Sequence, residues 1–140
     1  MGKINLARVV LGGIVAGIVS DALGYLVDGV WLAPMWAAGM KALGRGDFTS
    51  SMILSFNVLG LIGGILAILV YAAVRPRFGA GVNSAVFAGL LVWAIGTLLP
   101  NLSIMWVAGL FSHHLTLYTT FGGLVEVVVG TVAGAWLYKE

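Results

Sequence analysis

The stretch FGGLVEVVVGTVAGAWLYKE, residues 121–140, reads as a helix long and apolar enough to cross a bilayer, yet it carries a glutamate, Glu126. A carboxylate facing lipid is costly, so either this stretch belongs to no membrane or Glu126 turns towards other helices. Composition decides between the two. Of 140 residues, 61% are hydrophobic and only 9% charged, against about a quarter charged in a soluble domain. Apolar runs at Val9–Leu32, Met52–Val74 and Val82–Leu99 accompany Phe121–Tyr138. A spanning helix takes about 20 apolar residues, so four spans use most of the chain and leave only short loops. The expected fold class is all-α: an integral membrane four-helix transmembrane bundle, a single domain over residues 1–140.

Orientation follows from the basic residues. With the N-terminus inside, Lys3, Arg8, Arg75, Arg77 and Lys139 fall on the cytoplasmic side and Lys41 and Arg45 outside, five of the seven against two. Cytoplasmic loops carry the excess of lysine and arginine, so both termini are expected inside. The same residues sit at helix ends, where they set orientation, which points to the lipid bilayer as partner and away from nucleic acid. The absence of cysteine excludes disulfides and thiolate chemistry. The first run is too long for a signal-peptide core and lacks a convincing small-x-small cleavage site, so it is expected to be a retained span.

Along the chain, Asn5 is a candidate cap for the first helix. Pro34 suits the first turn of a new helix. In PMWAAGMKALG the residues Trp36, Met40 and Leu43 recur at helical spacing, with Lys41 and Arg45 on another face and Gly44 at the end. That pattern predicts a short interfacial helix between spans one and two, with Trp31 and Trp36 in the aromatic belt; the alternative is an irregular apolar loop. Thr49, Ser50 and Ser51 are candidate caps for the second span, which Arg75-Pro76-Arg77 is expected to stop. The third begins near Asn83 or Ser84. From Val82 to Phe111 is 30 residues, about 45 Å as one helix and well over the hydrocarbon thickness. The chain therefore either kinks at Pro100 or ends its helix there, with Leu102–Phe111 in the outer interface; the second is the preferred reading. Thr119 or Thr120 is the expected cap of the fourth span.

The stretches LARVVLGGIVAG, YAAVRPRFGAG and GLVEVVVGTVAGAWLYKE resemble a group of small bacterial four-helix integral membrane proteins to which no activity is assigned. The resemblance spans most of the chain. It implies a bacterial inner-membrane protein and carries no catalytic residue across.

Membrane helices pack through small residues that let backbones approach. Gly13 and Gly17, Gly60 and Gly64, and Gly130 and Gly134 mark such faces at four-residue spacing. The acids share them: Gly13, Gly17, Asp21, Gly24 and Asp28 form one stripe, and Gly123, Glu126, Gly130 and Gly134 another. Both stripes are expected to face the bundle interior. The 12 Val, Leu and Ile residues of Val9–Leu32 contribute roughly −4 to −7 kcal/mol to insertion. A central aspartate costs about 2.5–3.5 kcal/mol, so the first span needs neighbours. No lysine or arginine lies mid-span, so the acids must be protonated, hydrogen-bonded to polar neighbours, or hold a cation. Counting depth from the expected helix ends places Asp28, Asn57, Thr97 and Glu126 in one outer layer near His113 and His114, with Asp21 about 10 Å deeper than Asp28.

Two readings of this layer stand side by side: a hydrogen-bonded network that fixes helix register, or a proton or cation site. Adjacent histidines point about 100° apart on a helix and chelate one ion poorly, so no metal or other cofactor is expected. No P-loop, dinucleotide fingerprint, HExxH, CxxC or GxSxG occurs, and an enzyme is not expected. The function expected is a non-catalytic membrane subunit or partner-binding module. The alternative is a small proton- or cation-coupled transporter or channel acting as a homo-oligomer. In either case the partner beyond lipid is a second copy or a larger membrane complex.

Overall fold

Local chemistry at the helix ends sets where each element starts. In a computed structural model that describes residues 3–139, Asn5 accepts a hydrogen bond from the Arg8 N–H and opens α1, Leu6–Trp31. Leu32 then turns the chain into α2, Ala33–Ala42, with Pro34 in its first turn, where the missing N–H costs nothing. Gly44, at φ 70°, takes the left-handed conformation that ends α2. Thr49 accepts from the Met52 N–H and caps α3, Ser50–Phe78. After a glycine-bounded turn come α4, Val82–Val107, and α5, His113–Ala135. Every described element is helical, and α1, α3, α4 and α5 are each long and apolar enough to cross a membrane.

Three boundaries differ from the sequence reading. First, α3 does not stop at Arg75-Pro76-Arg77 but runs on to Phe78. Pro76 removes only one hydrogen bond this close to the end, and Gly79, at φ 85°, closes the helix by donating to the Arg75 carbonyl at 2.8 Å. Second, α4 passes through Pro100 to Val107 instead of ending there. In a regular turn the proline ring meets the carbonyl four residues back, here Gly96, and the chain over Ala94–Leu98 is wound more widely, as a π-helix. That winding moves the carbonyl aside. It returns over Asn101–Val107, where the Ala108 N–H reaches the Ser103 carbonyl five residues back at 3.1 Å. Third, α5 starts at His113 rather than after Thr119 or Thr120, because the Ser112 side chain caps it by accepting from the Leu115 N–H at 3.2 Å. The threonines lie inside the helix, and Thr120 Oγ1 donates to the Thr116 carbonyl at 2.6 Å.

The four long helices run up and down. α1 lies between α3 and α5, and α4 packs on α5 and α3. Chain ends and the α3–α4 turn share one end, here the basal end, where the Asn5 N–H donates to the Tyr138 hydroxyl at 3.3 Å. The basal core joins all four helices through Val9, Ala16, Ile68, Tyr71, Ala85, Ala88 and Ala135. A separate distal core holds Leu32, Met105 and Leu115, flanked by Val27, Met35, Trp36 and Phe111. It contains nothing from α3, whose distal residues Ser50–Leu59 are all exposed.

Candidate functional site

The seams on either side of α1 are built from glycine. Towards α3, a Cβ on Gly17 would stand 2.6 Å from the Leu61 Cα, and one on Gly64 would run into the Gly13 carbonyl and the Gly17 backbone. Towards α5, Gly12 and Gly134 face each other's carbonyl oxygens, and Gly130 lies on the Ala16 carbonyl and the Ser20 hydroxyl. The backbones approach too closely on both sides for any side chain, as the glycine spacing predicted.

Following these seams distally leads to the acids. Asp21 lies where a Cβ on Gly60 of α3 would be, so that glycine makes the room its carboxyl occupies. One turn further, Gly24 does the same for Glu126 of α5: a Cβ there would stand 3.3 Å from Glu126 Oε2. Beside it the Ser20 hydroxyl donates to the Glu126 backbone carbonyl at 3.0 Å. Glu126 Oε1 is buried and has no hydrogen-bond partner among the described residues. The carboxyl lies within electrostatic reach of both Asp28 and Asp21.

Asp28 is differently placed. Its Oδ1 accepts from Thr119 Oγ1 of α5 at 2.8 Å and from Trp36 Nε1 of α2 at 2.9 Å. It sits in the π-wound end of α1, Tyr25–Trp31, where the Leu32 N–H reaches back to the Val27 carbonyl at 2.8 Å. One carboxylate thus ties α1, α2 and α5 together. A parallel tie joins α4 to α5: Asn101 Nδ2 donates to Thr120 Oγ1 and Trp93 Nε1 to the Thr120 carbonyl, each at 2.9 Å.

The expected single layer is therefore two. Glu126 sits level with Ser20 and Gly24, between Asp21 and Asp28 along α1, while Asp28 bonds Thr119 nearer the distal end. The reason is the start of α5: beginning at His113 instead of after Thr120, the helix carries Glu126 more than a turn deeper. Thr97 faces Gly123 across the α4–α5 seam. Asn57 is in neither layer, because distal α3 stands apart; it is exposed and donates to its own helix at the Ile53 carbonyl, 3.0 Å away.

No family model, curated protein or solved structure matches this chain. What the site does must be read from its geometry.

Several members were not singled out from sequence. From sequence Thr119 and Thr120 read as caps and Trp36 as a belt residue, and nothing singles out Asn101. Their shared signal is present in the sequence: each is a hydrogen-bonding side chain about one or two turns from an acid or another polar residue of a long apolar helix. The histidines lie in the first turn of α5, exposed, with the His113 ring stacked on Trp106 at 4.0 Å. Among the described residues no three His, Cys, Asp or Glu side chains come together as a metal-holding group. An open hollow of about 500 Å³ lies between α2 and the α4–α5 turn, lined by Met35, Gly39 and Phe111 among others, away from the acids.

Proposed function

We propose that this chain is a multi-pass bacterial inner-membrane protein with both termini in the cytoplasm, α2 on the outer surface, and a non-catalytic role as a membrane subunit or partner-binding module. Its polar residues serve to fix the register and spacing of the helices. The observation that carries this reading is the Asp28 carboxylate, which satisfies Thr119 of α5 and Trp36 of α2 at once. A half-buried polar group with its partners matched in this way favours one arrangement of helices, because others leave it unpaired. The five basic residues at the basal end support the orientation, and the resemblance to small bacterial four-helix membrane proteins supports the compartment.

A second reading is favoured by a different observation. Glu126 Oε1 is buried without a hydrogen-bond partner among the described residues, and Asp28 and Asp21 lie within electrostatic reach. An acid so placed in a span is suited to bind and release a proton or a monovalent cation. In that reading the chain is a small coupled transporter or channel that completes its path as a homo-oligomer.

Two substitutions separate the readings. Glu126→Gln keeps the shape and hydrogen-bonding capacity, so under the structural reading thermal stability in detergent stays at the wild-type level. Glu126→Leu removes a carboxyl whose Oε1 has no hydrogen-bond partner among the described residues, so under that reading stability is expected to change by about 0.5 kcal/mol or less. Under the coupling reading Glu126→Gln folds normally and abolishes ion flux in proteoliposomes. Wild-type flux in both variants would rule out the coupling reading for Glu126, and a larger stability loss in Glu126→Leu would give that side chain a structural role.

A further inference from the structure

At the basal end, separate parts of the chain converge on one side chain. Tyr138 is buried, accepts from the Asn5 N–H at 3.3 Å, meets the Tyr71 ring edge-on at 5.9 Å, and carries the Arg75 guanidinium over its ring at 5.5 Å. Tyr71 in turn accepts from the Gly81 N–H at the turn into α4, 3.3 Å away. These contacts gather the ends of α1, α3 and α5 and the start of α4. They also gather the basic residues those ends carry: Lys3 and Arg8 from the first, Arg75 and Arg77 from the second, Lys139 from the third.

Lys3, Arg8, Arg77 and Lys139 are exposed, and no acid stands among them in the described residues; Glu140 lies outside these. The distal end carries only Lys41 and Arg45, with Asp47 beside them. Large apolar side chains adjoin the basic collar: Leu6 at the start of α1, Phe78 at the end of α3 and Trp136 just past α5, the last 75% exposed. Cationic groups directly above an apolar, tryptophan-bearing rim match the boundary between phospholipid headgroups and acyl chains. A free polyanion or an acidic soluble partner would leave that rim in water.

We infer that the basal collar binds the headgroups of anionic phospholipids, holding Tyr138 and the helix ends around it against a negatively charged leaflet. The inference rests on the membrane reading above and adds a preference for one lipid charge class. Lysine and arginine close to an anionic surface each favour binding by about fivefold, and the attraction is screened by salt.

The test uses the purified full chain in a non-ionic detergent, with phosphatidylglycerol or phosphatidylcholine titrated in and lipid retention read by native mass spectrometry alongside the melting temperature. Wild type is expected to retain phosphatidylglycerol preferentially, with the preference falling as salt is raised. Arg77→Gln with Lys139→Gln, both clear of the Tyr138 contacts, should weaken it about 25-fold. Lys41→Gln with Arg45→Gln should leave it unchanged. Equal retention of the two lipids by wild type, or a preference indifferent to salt, overturns the inference even if the double variant fails to fold. So does an Arg77→Gln, Lys139→Gln variant that folds and keeps the full preference, or a Lys41→Gln, Arg45→Gln variant that loses it equally. Glycerol 3-phosphate raising the melting temperature as much as the lipid would overturn it in favour of a free-anion site. A chain that stays dissolved with neither detergent nor lipid overturns the membrane reading itself, and that is seen before any lipid is added.

Discussion

In the basal half all four long helices share a core of alanine with Val9, Ile68 and Tyr71, and glycine seams hold α1 on α3 and α5, whereas in the distal half α1, α4 and α5 meet with α2 around Leu32, Met105 and Leu115 and a bridging carboxylate. The change falls where small residues run out on α3. Gly64 and Gly60 hold that helix on α1, but Leu59, Val58 and Phe56 follow, and from there α3 is exposed on every side. Helices in lipid gain nothing from hiding leucine from leucine. They stay together where backbones interlock or where a polar group would otherwise lose its partner. The basal half uses the first means and the distal half the second. The acids Asp21 and Glu126 sit at the junction, each in a space left by a glycine of the next helix.

If the basal half depends on backbone contact, filling one glycine there should have the largest effect. Gly64→Val places side-chain atoms into the Gly13 carbonyl and the Gly17 backbone. It is expected to cost about 3 kcal/mol, the upper part of the usual overpacking range. Gly63→Val, one residue along with open space at the Cβ position, should leave thermal unfolding in detergent unchanged. Equal losses in the two variants would show that seam packing is not what holds α3.

A smaller effect is expected in the distal half. Asp28→Ala leaves Thr119 and Trp36 without their acceptor and should cost about 1–2 kcal/mol. Because α2 is tied through Trp36, its fluorescence should shift towards that of a solvated indole. Asp28→Asn keeps an acceptor oxygen and should recover most of both changes. A stable Asp28→Ala with unaltered fluorescence would move the distal half's cohesion to its apolar core alone.

The smallest effect belongs to distal α3. Leu54 is 66% exposed, and Leu54→Ala should change stability by about 0.5 kcal/mol or less, as surface substitutions do. A loss comparable with that of Asp28→Ala would mean that this segment is packed against a further partner, and the contrast between the halves would narrow.

Much of this was legible in the residues. The four long helices, the Asn5 and Thr49 caps, the Pro34 helix start and the glycine faces of α1, α3 and α5 depend on local chemistry and helical period, which neighbours do not alter. Pro76 and Pro100 misled because a proline's effect depends on how many hydrogen bonds remain beyond it and on whether the preceding turn widens. The start of α5 was lost for a related reason: Ser112, Thr119 and Thr120 all have capping hydroxyls, and only packing selects among them.

What the sequence by itself determined is which faces of α1 and α5 turn towards other helices, since a stripe of glycine and acid recurs with the helical period whatever lies opposite. Only the tertiary structure decided what does lie opposite. Depth along a helix is counted from its start, so starting α5 at His113 and not after Thr119 or Thr120 moves Glu126 from the level of Asp28 to that of Ser20 and Gly24. Pairing across a seam depends on where two axes come close and where they part. That is why Gly60 houses Asp21 and Gly24 houses Glu126, while Asn57, only three residues before Gly60 on the same helix, turns back to its own backbone.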